Sequence, residues 1–570
     1  MRQYVEAPCT HEAVLVAALA IVCGLSVFVG AAGPLGSFGH DTFFVLGNAY
    51  RIIHGQIPHR DFSSAWGPVI YLIYAAGLAL SDMRASGLGY ANALFGATIA
   101  IWAFAIARPM YSSSGACVLA IYTALLIAAP APIGSHPLDY GYAMVYNRYG
   151  YALLGIIVMD GATYARPAPG WTRQCTTGAL STGVALGLLT FLKISYALVA
   201  LGIIVVTTLG GVAGRARRST SVSCGFAIVA ALMLSYLRFD AVDMLRDLVT
   251  AASARQISLT LHWVSLIDCI QGVFLVVYAG LSYRAANGSA RRKSVILGSP
   301  GCDLCRLTPN SPAPESPPIA SILRRVVFAL IIVAAGYALL ITNQQSSGFP
   351  LNAYAALALV ATDTGSVATS RLVRWLHLSP SFPRTLLLNM CLLPLLILNT
   401  VSLVGPVLER HWRVKSDLVA PALPGRGFDL QFRLVTGPLK TETTGADYVA
   451  ALRDGIELLQ RHSPTAGVLT FDEFDPFNYL LDRDPPRGGF AATAYNYIFC
   501  DAVHPSPRRF FGDAQYVMMR KYREGSLDVL ELGDVAALMR IYGAYLRSRF
   551  ATVEETPHWV LWHRKHTGAK

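Results

Sequence analysis

The chain has 570 residues, of which 54% are hydrophobic and 14% charged, with a mean hydropathy of +0.45. Soluble domains carry about 25% charged residues, so a single soluble globular protein is excluded and a polytopic membrane protein is indicated. The net charge of +12 does not signal nucleic acid, because the basic residues concentrate in loops between apolar runs, as the positive-inside rule expects.

Apolar runs occur at 13–32, 67–80, 88–107, 115–131, 147–160, 176–212, 222–237, 263–283, 326–343, 349–363 and 385–405. The first is longer than a usual signal-peptide core and reads as a retained helix, although the small residues after Val29 leave cleavage open. The run at 176–212 exceeds the roughly 20 residues of one span, and Lys193 interrupts it. Counted as one broken span it gives about eleven spans. With the N-terminus inside, that count puts three basic clusters on the cytoplasmic side: Arg215 with Arg217 and Arg218, the loop 284–325, and Arg371 with Arg374 and Arg384. A count of twelve misplaces one side. The expected organisation is a multi-span membrane domain, 1–405, with a first outside loop at 33–66, and a soluble C-terminal domain, 406–570, in the periplasm.

Within the first outside loop, Phe43, Phe44, Leu46, Tyr50 and Ile53 recur at helical spacing, which predicts a short amphipathic helix lying at the membrane surface. Gly55 and Pro58 end it. Asp41 precedes it, and is either an N-cap or a general base. The cluster His59-Arg60-Asp61 follows; Arg60 and Asp61 either pair on the surface or serve a substrate. Tyr146-Asn147-Arg148 opens the fifth run, where an arginine is a snorkelling anchor or a phosphate ligand. Lys193 inside an apolar run faces protein, water or an anionic ligand. Thr342-Asn343-Gln344-Gln345 is a polar outside turn, a connector or a set of donors for a sugar.

The inside loop 284–325 contains Cys302 and Cys305 as a lone C-x-x-C; without a second pair at zinc spacing it reads as a linker with incidental thiols. In the C-terminal region, helices are predicted at Asp447–Arg461 and Asp534–Arg547, strands at Ala466–Phe471 and Tyr516–Met519, and a closing hairpin from Val553–Glu555 to His558–Trp562. That makes a small α/β or α+β domain. The three carboxylates Asp472, Glu473 and Asp475 read as a solvated loop, although hard cations favour such oxygen clusters. No P-loop, G-x-G-x-x-G, H-E-x-x-H or G-x-S-x-G is present, which weighs against nucleotide-driven pumps, zinc proteases and α/β-hydrolases.

Several features in this order resemble the GT-C superfamily of integral-membrane glycosyltransferases, which includes protein O-mannosyltransferases, the lipid A aminoarabinose transferase and lipopolysaccharide galacturonosyltransferases. They are Asp41 soon after the first span, the stretch Ala49…Gly55…Pro58-His59-Arg60-Asp61-Phe62, Gly67-Pro68 at the second run, Gly187-Leu-Leu-Thr-Phe-Leu-Lys193, and a C-terminal domain after the last span. The resemblance implies transfer of a sugar from a polyprenyl-phosphate donor to a lipid, polysaccharide or protein acceptor on the outer face of a bacterial inner membrane. Asp41 is then the base and Asp61 a second acid. His59, Arg60, Tyr146, Asn147, Arg148, Lys193, Asn343 and Gln344 would contact substrate, and Lys193 matches the family's phosphate-binding lysine. Many relatives have two adjacent acids where this chain has Asp41-Thr42. No metal ligands are assigned, and a divalent metal stays open. The alternative is a transporter or flippase for a lipid-linked or anionic substrate, motivated by the broken span at Lys193. A third is a non-catalytic assembly protein.

Overall fold

The computed structural model describes residues 9–32, 34–36, 39–109, 111–164, 173–210, 214–255, 268–280, 318–343, 350–361, 382–412, 423–433, 445–462, 465–521 and 529–565. Helices dominate up to residue 412. They are α1 (Cys9–Ala32), α2 (Thr42–Ile53), α3 (Pro68–Leu80), α4 (Gly87–Ala107), α5 (Ser113–Ala128), α6 (Val145–Tyr164), α7 (Arg173–Thr190) and α8 (Ile194–Gly210). Then come α9 (Arg215–Tyr236), α10 (Ala241–Ala254), α11 (Asp268–Gly280), α12 (Pro318–Asn343), α13 (Pro350–Ala361), α14 (Phe382–Cys391) and α15 (Leu393–Trp412). Among the described residues five stretches are long and apolar enough to cross a membrane: most of α1, α4, α9, most of α12, and α14 with α15.

Small residues let these helices approach closely. A Cβ on Gly30 of α1 would stand 2.5 Å from the backbone nitrogen of Gly89 in α4. A Cβ on Gly183 of α7 would stand 2.0 Å from the Val222 carbonyl oxygen in α9. One buried ion pair joins three of the helices. Asp160 of α6 lies 2.8 Å from Arg218 of α9, with 3% and 1% side-chain exposure, and Thr182 of α7 donates to the same carboxylate at 2.7 Å. Removing one partner leaves a buried charge without its counter-ion. We therefore expect Asp160→Ala to destabilise the fold by about 3–5 kcal/mol, and the double change Asp160→Leu with Arg218→Met to cost far less. Thermal unfolding in detergent measures both.

Two departures from the sequence reading matter for the site. First, residues 67–80 do not traverse the bundle. The Gly67 N–H at the start of α3 donates to the Leu192 carbonyl at 3.1 Å. At its end, Met83 O accepts from the Tyr479 hydroxyl at 3.2 Å, and Ser86 N–H donates to Asp429 at 3.2 Å. Both ends of α3 thus meet the side on which the C-terminal region packs. Second, 176–212 is not one broken span. Helices α7 and α8 are separate, and Phe191, Leu192 and Lys193 form the turn between them.

The C-terminal elements follow the predicted order. Strands β3 (Val468–Phe471), β4 (Tyr516–Arg520), β5 (Phe550–Glu555) and β6 (Trp559–Arg564) form a sheet in the order β3-β4-β6-β5, with β3 and β4 parallel and the other pairs antiparallel. Helix α16 (Gly445–His462) packs on it, where Trp559 Nε1 donates to the Ala451 carbonyl at 2.7 Å. Helices α17 (Phe477–Leu480), α18 (Pro507–Phe511) and α19 (Val529–Arg549) complete the region. Two short parallel strands, β1 (Pro34–Leu35) and β2 (Gln431–Phe432), tie the end of α1 to it.

Helix α2 does not lie on a surface. Phe43, Phe44, Leu46 and Tyr50 are buried, and so are Asn48 and Arg51 on its other side. Asn48 donates to the Ala491 carbonyl at 2.7 Å, Arg51 to the Gly488 carbonyl at 3.0 Å, and the Tyr50 hydroxyl to Asp482 at 2.6 Å. The polar face that appeared to want water is satisfied by C-terminal carbonyls and a carboxylate, so the helix is held between the bundle and the sheet region.

Candidate functional site

The site grows from the turn Gly39–Asp41 that leads into α2. Asp41 occupies the cap position, with φ −58° and ψ −21°, yet its carboxylate makes no capping hydrogen bond. Instead His40 Nε2 stands 3.5 Å from Asp41 Oδ1 and 3.5 Å from Glu473 Oε2. The Asp41 side chain is 16% exposed. Burial raises its pKa above the ordinary carboxylate range, and the neighbouring His40 charge opposes that rise. Phe474 stacks on the His40 ring at 5.9 Å, and Tyr448 meets its edge at 6.1 Å. Ligand atoms of His40, Asp41 and Glu473 lie within 4.8 Å of one another. One imidazole nitrogen and two carboxylate oxygens form a set that a divalent cation can share.

Beside this acid lies an aromatic floor. The Phe44 ring, one helical turn from Asp41, is 4.6 Å from Trp66, 6.2 Å from Tyr146 and 6.0 Å from Phe474, and Trp66 is 5.5 Å from Tyr146. Phe474 joins the His40–Asp41 pair to this floor, of which Tyr146 is the third ring. Lys193 Nζ stands 4.4 Å from the centroid of the same ring. Burial lowers the Lys193 pKa well below that of a free lysine, and Arg255, just beyond α10, lowers it further; the Arg255 guanidinium lies 4.9 Å over Tyr497. Asp41, Trp66, Lys193, Arg255 and Tyr497 are all half-buried, at the rim rather than in the core.

Of the residues singled out in the sequence, Asp41, Tyr146 and Lys193 come together here. Others are engaged elsewhere. Arg148 donates to the Ala131 carbonyl at 2.9 Å and the Leu126 carbonyl at 3.0 Å, beyond and within the last turn of α5, and to Asn399 at 2.9 Å. It is 4% exposed, and its guanidinium caps the carbonyl end of α5. Asp61 accepts the Ile57 N–H at 2.8 Å and faces Arg487 at 3.6 Å; it closes its own turn and shares no partner with Asp41. His59, 1% exposed with φ +71°, holds Asp247 of α10 at 3.1 Å. Asp247 also accepts from the Ser64 N–H at 3.0 Å and from Arg509 at 3.1 Å. This latch joins the first loop, α10 and the C-terminal region. Arg60 is exposed beside it. Asn147 is 1% exposed, and neither of its side-chain polar atoms has a partner among the described residues. Asn343 ends α12 and its side chain lies outside the described residues, as do Gln344, Cys302 and Cys305.

Sequence reasoning missed Glu473 and Arg255. The three-carboxylate stretch was the only signal for Glu473. The structure separates the three: Asp472 pairs with Arg520 at 3.2 Å, Asp475 accepts from Thr470 at 3.0 Å and from the Phe477 N–H at 3.1 Å, and Glu473 alone turns to His40.

No family model and no curated protein matches the chain. Among solved structures, it is similar to ArnT from Cupriavidus metallidurans in the apo state, at 12% identity over 97% of each chain with a TM-score of 0.42. The ArnT structure bound to undecaprenyl phosphate gives 11% identity over 98% of this chain and 99% of that one, with a TM-score of 0.44. The Archaeoglobus fulgidus oligosaccharyltransferase in complex with Zn and sulfate gives 13% identity over 96% of this chain and 73% of that one, with a TM-score of 0.36. At these identities and scores the likeness assigns no residue a role.

Proposed function

We propose that the protein is a membrane glycosyltransferase that moves a sugar from a polyprenyl-phosphate donor to a lipid, polysaccharide or protein acceptor on the outer face of a bacterial inner membrane. One observation carries the reading: a half-buried carboxylate, Asp41, and two basic groups, Lys193 and Arg255, border one aromatic cluster of Phe44, Trp66 and Tyr146, and an anion beside Lys193 would restore the charge that burial and Arg255 disfavour. A sugar phosphate needs this combination. Aromatic faces stack against the ring, cations hold the phosphate, and a carboxylate takes the acceptor's proton. Asp41 accepts the proton of the acceptor hydroxyl as its oxygen bonds to the anomeric carbon. The bond from that carbon to the phosphate oxygen breaks, and polyprenyl phosphate leaves with its charge held by Lys193 and Arg255. A divalent cation at His40, Asp41 and Glu473 would supply Lewis-acid polarisation there.

In this reading α1, α4 to α9, α11 to α13 and the pair α14–α15 cross the membrane, which again makes eleven. The membership differs from the sequence count: 67–80 drops out and 176–212 splits into two. The basic clusters stay inside and the C-terminal region stays outside. The transporter alternative loses its motive, because Lys193 sits in a turn between two helices and not in a broken span.

An assay in sealed vesicles with donor and acceptor both on the face that carries the C-terminal region separates transfer from transport. A glycosylated acceptor with free polyprenyl phosphate supports the reading; unmodified donor appearing on the other side overturns it. The pH profile adds a second check. The acid limb of kcat/KM should lie above the ordinary carboxylate range, because the base must be ionised and burial raises its pKa. Removing the opposing charge with His40→Ala should move that limb to still higher pH. An unmoved limb would mean that Asp41 is not the group titrating.

A further inference from the structure

We propose that α10 is an interfacial helix whose apolar stripe is seated in the phospholipid leaflet on the outer face. Helix α9, long and apolar enough to cross a membrane, turns outward-facing Ile228 and Leu232 away from the protein, at 52% and 62% exposure. A tight turn follows, in which Arg238 and Phe239 adopt φ +54° and +62°. Asp240 then caps α10 by accepting the Asp243 N–H at 3.4 Å.

Exposed apolar residues resume at this turn. Phe239, Val242, Leu245 and Val249 are 74%, 68%, 62% and 53% exposed. On α10 itself, the spacing of Val242, Leu245 and Val249 by three and four residues puts them on one face. The opposite face carries the buried Met244, Asp247 and Ala254, and it is fastened through Asp247 to His59, Ser64 and Arg509. The helix is therefore held with its polar anchor inward and its apolar stripe outward, level with the end of α9.

A second copy of the chain can also cover an apolar face. Lipid is favoured because the stripe prolongs the outward face of a membrane-crossing helix. Arg238 and Arg246, both exposed, flank it as cations do at anionic headgroups, with their stems along apolar surface. The seat also has a consequence for the site, since Arg255 follows directly on α10 and its height above the membrane is set by that helix. The proposal rests on α9 crossing the membrane with its C-terminal end outside, as in the topology above; it does not depend on sugar transfer.

The test uses the full chain in nanodiscs of phosphatidylethanolamine and phosphatidylglycerol. The photo-reactive amino acid p-benzoylphenylalanine replaces Leu245, and in separate samples Leu232 on α9 or Val553 on β5. After irradiation, mass spectrometry reads the adducts. We expect phospholipid adducts at position 245 comparable to those at 232, and none at 553. No lipid adduct at 245 while 232 gives one, or a chain-to-chain adduct at 245, would overturn the proposal. The same replacement at Val249, checked for a monodisperse elution profile, decides the matter if the 245 variant does not fold.

Discussion

Replacing Asp41 by Asn is expected to lower kcat by about 10²–10⁴-fold, the usual cost of losing a general base, with folding and membrane insertion unchanged. The amide keeps the size of the side chain and its contact with His40, but it cannot take a proton. Asp41 makes no capping bond that stability would miss, so the substitution separates chemistry from structure more cleanly than most. Glu473→Gln is the informative companion. Glu473 shares His40 with Asp41 but is not assigned the proton, so its loss should be smaller than that of Asp41→Asn. Equal losses would point to a unit acting together and would move the assignment from one residue to the pair.

Lys193→Ala is expected to cost about 10²–10³-fold in kcat, the range for removing one pre-placed stabiliser of charge developing in the transition state. The lysine sits in the turn between α7 and α8, with its ammonium over the Tyr146 ring. The departing phosphate would compete with the ring for it. Arg255 acts on the same ammonium, so Lys193→Ala and Arg255→Ala should not be additive. Arg148→Ala is the contrast. Its guanidinium is spent on two carbonyls and on Asn399, so it should lower the melting temperature while leaving the donor KM of the folded fraction unchanged. Single-turnover rates with a synthetic donor read the first two, and thermal unfolding reads the third.

Much of the fold was legible in the sequence because its signals are local. The predicted C-terminal helices and strands appear within a few residues of their places, since periodicity and turn residues mark them. The apolar runs mark helices correctly, but not what those helices face. Residues 67–80 are apolar all round, and such a helix is equally at home in lipid or against protein. Only the contacts of Gly67 with Leu192 and of Met83 with Tyr479 show that it turns back. The turn at 191–193 escaped because Phe191 and Leu192 keep the hydropathy high through it. Helix α2 misled for the opposite reason: Asn48 and Arg51 look solvated, and their partners lie more than 400 residues away.

The site was partly legible. Asp41 and Lys193 stood out as a carboxylate after the first run and a cation inside another. That Lys193 stands over Tyr146, in the ring cluster that Phe474 joins to the His40–Asp41 pair, is a matter of packing. The partners of Arg148 were not legible, because an arginine at a helix start shows nothing of the carbonyls it caps. Glu473 was hidden among three neighbouring carboxylates that only the fold tells apart.

The most direct measurement incubates the purified protein in lipid with a panel of polyprenyl-phosphate sugars and a membrane-lipid extract, and follows both donor and products by mass spectrometry. The account predicts a product heavier by one sugar residue, free polyprenyl phosphate in equal amount, and neither with Asp41→Asn. Donor left intact across the panel by wild-type protein, with an acceptor known to be present, would contradict it.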